Sequence, residues 1–373
     1  MKKIEECDAV VIGAGPAGAT ASAVLAEKGR RVITLEKSRF PRYHVGESLM
    51  PFCYFTLDRL GLVGKMDEIG FTQKQSVQFV TEDGRQSKPF YFYQHKEHPS
   101  SKTWQVLEIR EEVRVKELLH DDSGACTGVS AIGRDGEEFE VHAPMTIDAT
   151  GRDAFAQTKK KWRKRDPKLQ KIAMWTYFKG AMRDPGIDAG ATTVAYVPEK
   201  GWFWYIPLQD DIVSVGVVAE REYLYRNSRD PAEIFAAEIE KNAWIKEHLA
   251  PGKQFGQYWT TGEYSYRSEY VAGDGLLLAG DAFSFLDPVF SSGVFLALKS
   301  GEMAGDAVDA ALSAGDFSAS QFDRYGDELC RGIEAMRKLV YAFYDDAFSF
   351  ADLIKAHPTV SGALTDCLIG DLF

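Results

Sequence analysis

Three glycines near the start of the chain have the spacing needed to hold a phosphate-bearing cofactor. Gly13, Gly15 and Gly18 form a G-x-G-x-x-G motif, with Pro16 and Ala17 between them. In this motif the first glycine permits a tight turn, the second lets the backbone approach a pyrophosphate, and the third lets a helix pack closely on a strand. The helix that follows offers free backbone N–H groups to the phosphates. The motif therefore predicts a dinucleotide site.

The segments around these glycines supply the elements that must position them. Residues 8–12 are an apolar run typical of a buried parallel strand, and residues 17–28 are Ala-rich and predict a helix. Residues 31–35 predict a second strand that ends at Glu36. Glu36 can accept hydrogen bonds from a ribose diol, and Lys37 beside it is assigned to the same site. Because strand, helix and acid stand together, the motif carries more weight than a lone glycine turn.

Two later segments end in turns of the same kind. Residues 146–152 are a strand that runs into Gly151, and residues 275–281 are another that ends in Gly280 and Asp281. Both resemble the flavoprotein hydroxylase superfamily, in which the second acid contacts the ribityl chain of the flavin. The resemblance implies FAD rather than NAD, with three distant segments meeting on one cofactor. Two ordinary buried strands ending in turns remain the alternative.

A helix start follows the second of these segments. Residues 285–293 precede an amphipathic helix from about residue 294 to 312. The superfamily places the isoalloxazine ring at this helix start. Backbone amides of Ser292 and Gly293 are expected to hold a halide ion or to stabilise the negative charge of reduced flavin.

An aromatic strand narrows the enzyme class. Residues 201–207 contain the W-x-W-x-I-P signature of the flavin-dependent halogenases, which ends at Pro207. Alternation along a strand puts Trp202, Trp204 and Ile206 on one face, so that the two indoles form a wall. The resemblance implies that this wall separates the flavin from the organic substrate and helps prevent direct monooxygenation. An aromatic sheet core is the alternative.

A lysine is the candidate catalyst. Lys74 ends the segment Gly70-Phe71-Thr72-Gln73-Lys74, which follows Gly46-Glu47-Ser48-Leu49-Met50-Pro51 in the chain. The two segments together resemble the region that leads to the catalytic lysine of the halogenases. The resemblance implies that reduced FAD, oxygen and halide produce hypohalous acid, which travels through a tunnel to Lys74. A partly desolvated amine loses its proton more easily, and it can form a haloamine or hydrogen-bond the oxidant. We expect Lys74 to border that solvent-filled tunnel, and Arg42, Glu47 and Ser48 to contact the cofactor.

The sequence departs from the halogenase pattern at two places. Tryptophan halogenases carry a glutamate where this chain has Phe290, so the acid that would stabilise a cationic indole intermediate is missing. This favours the branch that acts on phenols or pyrroles, free or tethered to a carrier protein. Residues 104–113 leave no room for the helix of about 20 residues that the family places before the next strand. Either the connection is rebuilt, because parallel strands need a long crossover, or residues are missing from the sequence.

Composition limits the other classes of function. The chain has 373 residues, 45% hydrophobic content and a formal net charge of −11, which predicts a globular protein of roughly two domains without nucleic-acid or membrane-surface partners. No stretch approaches the roughly 18 apolar residues of a membrane span. Five scattered cysteines, without a C-x-x-C pair, argue against a disulfide framework or zinc and favour a cytoplasmic setting. The basic stretch from Gln157 to Lys171 is expected to be a solvated face or loop.

These features predict an α/β (α+β) fold, with a Rossmann-like FAD-binding domain of the GR2/PHBH type, an antiparallel substrate sheet around residues 172–218 and C-terminal helices from about Gln321. The expected domains are FAD-binding (1–70, 105–155 and 268–318), substrate (71–104 and 156–267) and C-terminal helical (319–373). The function predicted is a halogenase that uses FAD reduced by a separate flavin reductase, halide, and an electron-rich aromatic substrate. An aromatic hydroxylase or a geranylgeranyl-reductase-like enzyme is the alternative, and a flavin-binding protein without turnover is a third class.

Overall fold

The computed structural model describes most of the chain. The described residues are 3–39, 46–94, 98–101, 103–104, 112–198, 201–262, 265–345, 348, 350–357 and 359–373. Arg42, predicted to contact the cofactor, and most of the short connection at 104–113 lie outside them.

Within the described residues, strands and helices are numbered in chain order. The strands are β1 (Lys3–Glu6), β2 (Ala9–Ile12), β3 (Val32–Leu35), β4 (Gln73–Lys74), β5 (Ser76–Val80), β6 (Phe90–Tyr91), β7 (Thr103–Trp104), β8 (Arg114–His120), β9 (Cys126–Ile132), β10 (Glu138–His142), β11 (Met145–Asp148), β12 (Arg163–Arg165), β13 (Lys171–Lys179), β14 (Thr192–Val197), β15 (Gly201–Pro207), β16 (Ile212–Glu220), β17 (Lys253–Thr261), β18 (Tyr266–Ser268), β19 (Ala272–Gly273), β20 (Leu276–Leu278) and β21 (Ser284–Phe285). The α-helices are α1 (Pro16–Glu27), α2 (Cys53–Arg59), α3 (Val63–Ile69), α4 (Phe155–Lys159), α5 (Arg221–Leu224), α6 (Pro231–Ile239), α7 (Ala243–Leu249), α8 (Ser292–Ala314), α9 (Asp323–Phe343), α10 (Phe350–Ala356) and α11 (Val360–Ile369).

A five-stranded sheet carries the predicted βαβ unit. Its order is β19-β20-β11-β2-β3, and the last four strands are parallel. The carboxyl ends of β2, β3, β11 and β20 therefore lie at the same edge, although they come from distant parts of the sequence. This arrangement confirms the predicted Rossmann-like fold, with α1 beginning and ending within a residue of the predicted helix.

Both faces of this sheet are covered, as a parallel sheet requires. Val10 and Ile12 pack with residues of a four-stranded sheet, β1-β10-β9-β8, while Ala9 and Val11 belong to the core that includes α1 and α8. The two helices approach closely because of Gly301, where an added Cβ would lie 2.3 Å from the Ala17 carbonyl oxygen. The glycine motif is thus held against the sheet by both helices.

A seven-stranded sheet forms the second layer of the molecule. Its order is β17-β13-β16-β15-β14-β5-β6, with β14 and β5 parallel and the other neighbours antiparallel. The antiparallel sheet predicted around residues 172–218 is therefore present and continues on both sides. Helix α9 begins close to the predicted start of the C-terminal helices and packs apolar residues such as Leu329 and Val340 into the core.

The predicted solvated stretch from Gln157 to Lys171 is only partly exposed. It includes the end of α4 and all of β12, and Lys159, Lys161 and Lys164 are exposed. Gln157, however, is fully buried and its side-chain amide donates to the carbonyls of Ala282 and Phe283 at 3.1 and 3.0 Å. At the other end Lys171 is buried as well, and its Nζ forms an ion pair with Glu220 at 2.9 Å, so the expectation was wrong for both ends.

None of the helices among the described residues has the length and apolar content needed to cross a bilayer.

Candidate active site

A cavity of about 1670 Å³ lies where the carboxyl ends of the parallel strands meet. Its lining includes the residue that follows each of β2, β3, β11 and β20, namely Gly13, Glu36, Ala149 and Ala279. This volume exceeds the roughly 300–1,000 Å³ of most small-molecule sites, as a long cofactor requires. The position agrees with the general rule that open α/β sheets bind ligands outside the carboxyl ends of their strands.

Two of the three glycines, Gly13 and Gly18, have the structural roles that their spacing predicts, and the third leaves open space. Gly13 has a φ of +94°, and a Cβ there would lie 2.5 Å from the Ala149 carbonyl oxygen. At Gly18 a Cβ would lie 1.9 Å from the Gly13 carbonyl oxygen. Only glycine therefore allows the helix to pack this closely against the turn. At Gly15 a Cβ would meet no atom within 4 Å, because this residue faces the open cavity at the start of α1. Gly15, Pro16 and Ala17 therefore leave space beside helix amides for a pyrophosphate.

Glu36 and Lys37 stand at the end of β3, on the cavity lining. Glu36 is buried, and its carboxylate accepts from the backbone N–H groups of Ala14 and Ser38, both at 2.9 Å. Glu36 lines the cavity, and its acceptance of hydrogen bonds from ribose hydroxyls stays a prediction. Lys37 forms an exposed ion pair with Asp153. The acid is thereby oriented by the glycine turn before any ligand binds.

Gly151, Gly280 and Asp281 come from the other two predicted cofactor segments, and Gly151 and Asp281 line the cavity. Gly280 has a φ of +60° and its N–H donates to the Ser300 hydroxyl at 2.8 Å. Burial raises the pKa of Asp281 to about 7, against the opposing effect of the nearby Arg152 guanidinium. A carboxyl group in this position can accept hydrogen bonds from a polyol chain such as ribityl.

The start of α8 lines the cavity, at the place where the sequence predicts the isoalloxazine ring. Gly293 lines the cavity, and a Cβ there would meet no atom within 4 Å. Ser292 is buried and is not among the lining residues, so its side chain does not face the cavity. Ser291 adopts a left-handed conformation, with φ +57°, that turns the chain into the helix. A halide or flavin role for Ser292 and Gly293 stays a prediction that rests on backbone amides.

The aromatic wall is built as the alternation predicts. Trp202, Trp204 and Ile206 line the cavity, and the ring centroids of the two tryptophans are 6.1 Å apart. Phe203 and Tyr205, between them, pack into the core on the other side of the sheet. Pro207 ends β15 and does not line the cavity. We call Trp202, Trp204 and Ile206 the barrier.

Behind the barrier lies an aromatic cluster. Phe343 makes an edge contact with Trp202 at 6.3 Å, stacks on Tyr196 at 5.0 Å and contacts Phe290 at 5.9 Å between ring centroids. Phe290 also contacts Phe350. The position at which tryptophan halogenases carry glutamate is thus part of a buried, apolar surface.

Lys74 lies one side chain away from the cavity. It is 3% exposed, and its Nζ donates to the Ser48 hydroxyl at 2.9 Å and to the Leu49 carbonyl at 3.2 Å. Burial lowers the pKa of Lys74 to about 7, partly opposed by Cys53. Ser48 lines the cavity but Lys74 does not, so the expectation of a lysine at the edge of a solvent-filled tunnel is not met. The Ser48 hydroxyl stands between the amine and the cavity.

Glu47 lines the cavity, but both of its carboxyl oxygens accept hydrogen bonds from side chains of the protein. Tyr177 donates to Oε1 at 2.6 Å, and Ser214 donates to Oε2 at 3.1 Å. Burial raises the pKa of Glu47, and these two hydrogen bonds act in the opposite direction. Cofactor contact by Glu47 therefore stays a prediction, and the structure shows it bonded to the seven-stranded sheet.

Sequence reasoning missed three further polar residues of the site, namely Thr192, Asp287 and Tyr344. Thr192 lines the cavity and its hydroxyl is 2.9 Å from that of Ser48. Asp287 is fully buried beside the barrier, where it accepts a hydrogen bond from Tyr344. The sequence signal for Asp287 was an acid directly before Pro288 in an otherwise apolar turn.

Comparisons with known proteins agree with this geometry. The tryptophan halogenase family model matches residues 8–120 and 108–348. A 1H-pyrrole-2-carbonyl-(peptidyl-carrier protein) brominase from Pseudoalteromonas luteoviolacea is 31% identical over 364 residues, covering 92% of this chain and 87% of that protein. The corresponding chlorinase from Pseudomonas fluorescens is 26% identical and covers 98% of this chain and 89% of its own length.

The fold comparison gives the same result. The structure of the flavin-dependent brominase Bmp2 superimposes with a TM-score of 0.90 at 27% sequence identity, covering 99% of this chain and 94% of that one. The glycine cradle, the oriented acid and the barrier fit FAD, the cofactor of this family. This chain belongs to the tryptophan halogenase family of FAD-dependent oxidoreductases.

Proposed function

We propose that this protein halogenates an electron-rich aromatic ring, a phenol or a pyrrole, that is either free or tethered to a carrier protein. Bound reduced FAD and dioxygen together convert a halide ion to an electrophilic halogen species. The residues of the chain then have to hold the cofactor, keep the organic substrate away from it and deliver the halogen.

The observation that carries the proposal is the barrier. Trp202, Trp204 and Ile206 stand on the cavity lining, and the aromatic cluster around Phe343 lies behind Trp202. A flavin hydroxylase transfers oxygen to a ring that touches its cofactor, and a wall of two buried indoles prevents that contact. If the substrate ring cannot touch the cofactor, the oxidant must diffuse from one to the other. Halogenation by hypohalous acid has this requirement.

Lys74 is proposed to receive that oxidant. With a pKa of about 7, a large fraction of the amine is neutral near pH 7 and has a free lone pair. Attack of the neutral amine on hypohalous acid forms an N–halogen bond and breaks the O–halogen bond. One amine proton leaves with the hydroxide as water, and the other stays on the nitrogen. The Ser48 and Thr192 hydroxyls, both on the cavity lining, lie between the cavity and the amine and offer a hydrogen-bonded entry route.

Phe290 supports a phenol or pyrrole as the substrate. An apolar ring at this position cannot stabilise a cationic intermediate as a carboxylate would, so the substrate ring must be reactive by itself. Phenols and pyrroles have such rings. Two relatives named for a pyrrole carried on a peptidyl-carrier protein support the tethered form of the substrate.

Two further proposals concern the setting. A separate flavin reductase is expected to supply reduced FAD, as the family resemblance implies. A cytoplasmic location fits the five cysteines, none of which is in a disulfide, because reducing compartments keep thiols free.

The test is a product analysis with the complete enzyme. The FAD-loaded protein is incubated with a flavin reductase, NADH, oxygen and either bromide or chloride. Phenols and pyrroles are offered free and as carrier-protein thioesters. We expect products in which one ring hydrogen is replaced by halogen, and isotope pairs in mass spectra identify them. Products that gain only an oxygen atom would instead show a hydroxylase.

A further inference from the structure

We infer that two buried carboxylates, those of Asp287 and Glu47, hold the two indoles of the barrier in place through one hydroxyl group each. We call these two chains of hydrogen bonds the indole relays. The inference deepens the proposed function and rests on it, because a barrier matters only if cofactor and substrate must be kept apart.

The first relay joins Trp202 to Asp287. The indole N–H of Trp202 donates to the Tyr344 hydroxyl oxygen at 2.7 Å, and the Tyr344 hydroxyl donates to Asp287 Oδ2 at 2.8 Å. The backbone N–H of Val289 donates to the other carboxyl oxygen at 3.1 Å. An indole can only donate, so the direction of each bond is fixed from tryptophan to carboxylate.

The second relay has the same chemical order. The indole N–H of Trp204 donates to the Ser214 hydroxyl oxygen at 3.1 Å, and the Ser214 hydroxyl donates to Glu47 Oε2 at 3.1 Å. Tyr177 donates to Glu47 Oε1. Since a serine hydroxyl has one hydrogen, acceptance from the indole leaves that hydrogen for the carboxylate.

Burial makes both relays stiff. The two indoles, the two linking hydroxyl residues and the two acids are all at most 9% exposed. A buried polar group that loses its partner cannot turn to water instead, so rotation of either indole breaks a bond that nothing replaces. The hydrogen bond therefore restricts the orientation of each indole ring more tightly than packing alone would.

The relays also connect the barrier to both ends of the proposed oxidant route. Asp287 stands in the turn that leads to α8, between Leu286 and Pro288, which both line the cavity. Glu47 is adjacent to Ser48, which accepts the hydrogen bond from Lys74. The positions of the indoles are thus set relative to both the cofactor end and the lysine. Asp287 and Glu47 act as positioning residues for the barrier.

The test removes one linking hydroxyl at a time from the FAD-loaded enzyme. Tyr344→Phe interrupts the first relay and Ser214→Ala interrupts the second. Tyr325→Phe is the matched control, because Tyr325 is a buried tyrosine of α9 whose hydroxyl donates to the Leu278 carbonyl outside both relays. The relays share no residue, so each variant tests the inference by itself if the other does not fold.

A spectroscopic signal reports the relays without any activity. The indole ¹⁵N–¹H resonances of the protein, assigned by Trp→Phe replacements, are recorded for each variant. We expect the Trp202 resonance to move in Tyr344→Phe and the Trp204 resonance to move in Ser214→Ala. Neither should move in Tyr325→Phe. Unmoved resonances in both relay variants, or equal movement in the control, would overturn the relays even if the parent enzyme halogenates.

The functional consequence is measured as a partition of products. Two ratios are measured for each relay variant: trapped oxidised halide to halogenated product, and oxygenated product to halogenated product. Both ratios should rise about fivefold over those of the parent, because loss of one hydrogen bond changes a free energy by about 1 kcal/mol. The control should match the parent. A partition equal to that of the control would remove the positioning role. Absence of any halogenation by the parent would overturn the proposed function alone, and the resonances would still decide the relays.

Discussion

Replacement of Lys74 by methionine should abolish halogenation and yet make the protein more stable near neutral pH. Burial lowers the pKa of Lys74 from its ordinary 10.5 to about 7. At about 1.36 kcal/mol per pKa unit, this difference costs the folded state about 4 kcal/mol at neutral pH. Methionine has a similar length and no charge, and it adapts to irregular apolar surroundings. It loses the bonds to Ser48 and Leu49, at about 1 kcal/mol each, which leaves a net gain of about 2 kcal/mol.

The gain should depend on pH with a defined sign. Between the folded-state pKa of about 7 and the ordinary value of 10.5, the unfolded chain binds a proton at Lys74 that the folded protein does not. The stability of the parent therefore rises with pH across this window. The methionine variant lacks that contribution. Its advantage should be largest below about pH 7 and should disappear by about pH 10, where the lost hydrogen bonds remain as a small deficit.

Urea unfolding of the FAD-loaded parent and variant, at several pH values from neutral to about 10, measures the effect. Lys65→Met is the control, because Lys65 is exposed on α3 and its replacement should change stability by less than about 0.5 kcal/mol at every pH. A Lys74→Met protein that is less stable than the parent by the same amount at all pH values would refute the reasoning. It would show that the ammonium ion is well solvated in the folded state.

Three further predictions concern the glycine motif and the reduction of the cofactor. Gly15→Val should leave folding intact but reduce FAD content at least about tenfold, because its side chain would occupy the space beside the helix amides; unchanged flavin absorbance in the purified variant would contradict this. Gly18→Ala should instead lower the stability of the apoprotein, since its Cβ would meet the Gly13 carbonyl, and a parental urea midpoint would contradict that. NADPH alone should not bleach the bound flavin under anaerobic conditions, since a separate reductase is expected; rapid bleaching would favour a hydroxylase or a geranylgeranyl-type reductase.

The parts of the site that sequence reasoning located depend on local patterns. The glycine turn, the strand that ends at Glu36 and the helix between them are consecutive, so spacing alone defines their geometry. Alternation along β15 likewise placed Trp202 and Trp204 on one face, where both line the cavity. These inferences needed no knowledge of which elements pack together.

The parts that it missed depend on contacts between distant segments. Glu47 bonds to Tyr177 and Ser214, which are 130 and 167 positions away, and no spacing rule connects them. Tyr344 reaches the turn before α8 only because α9 folds back against it. The surroundings of Lys74 were misjudged for the same reason, since Ser48 lies between the amine and the cavity.

The central claim is that halogen reaches the substrate through Lys74, and a comparison of the parent with Lys74→Ala tests it most directly. Oxygen consumed, halide oxidised and organic halide formed are measured in the same reaction, with FAD content as the control for binding. We predict that the variant retains FAD, consumes oxygen and oxidises halide, and that the halogenated product disappears. Halogenation by Lys74→Ala at the parental rate would contradict the account.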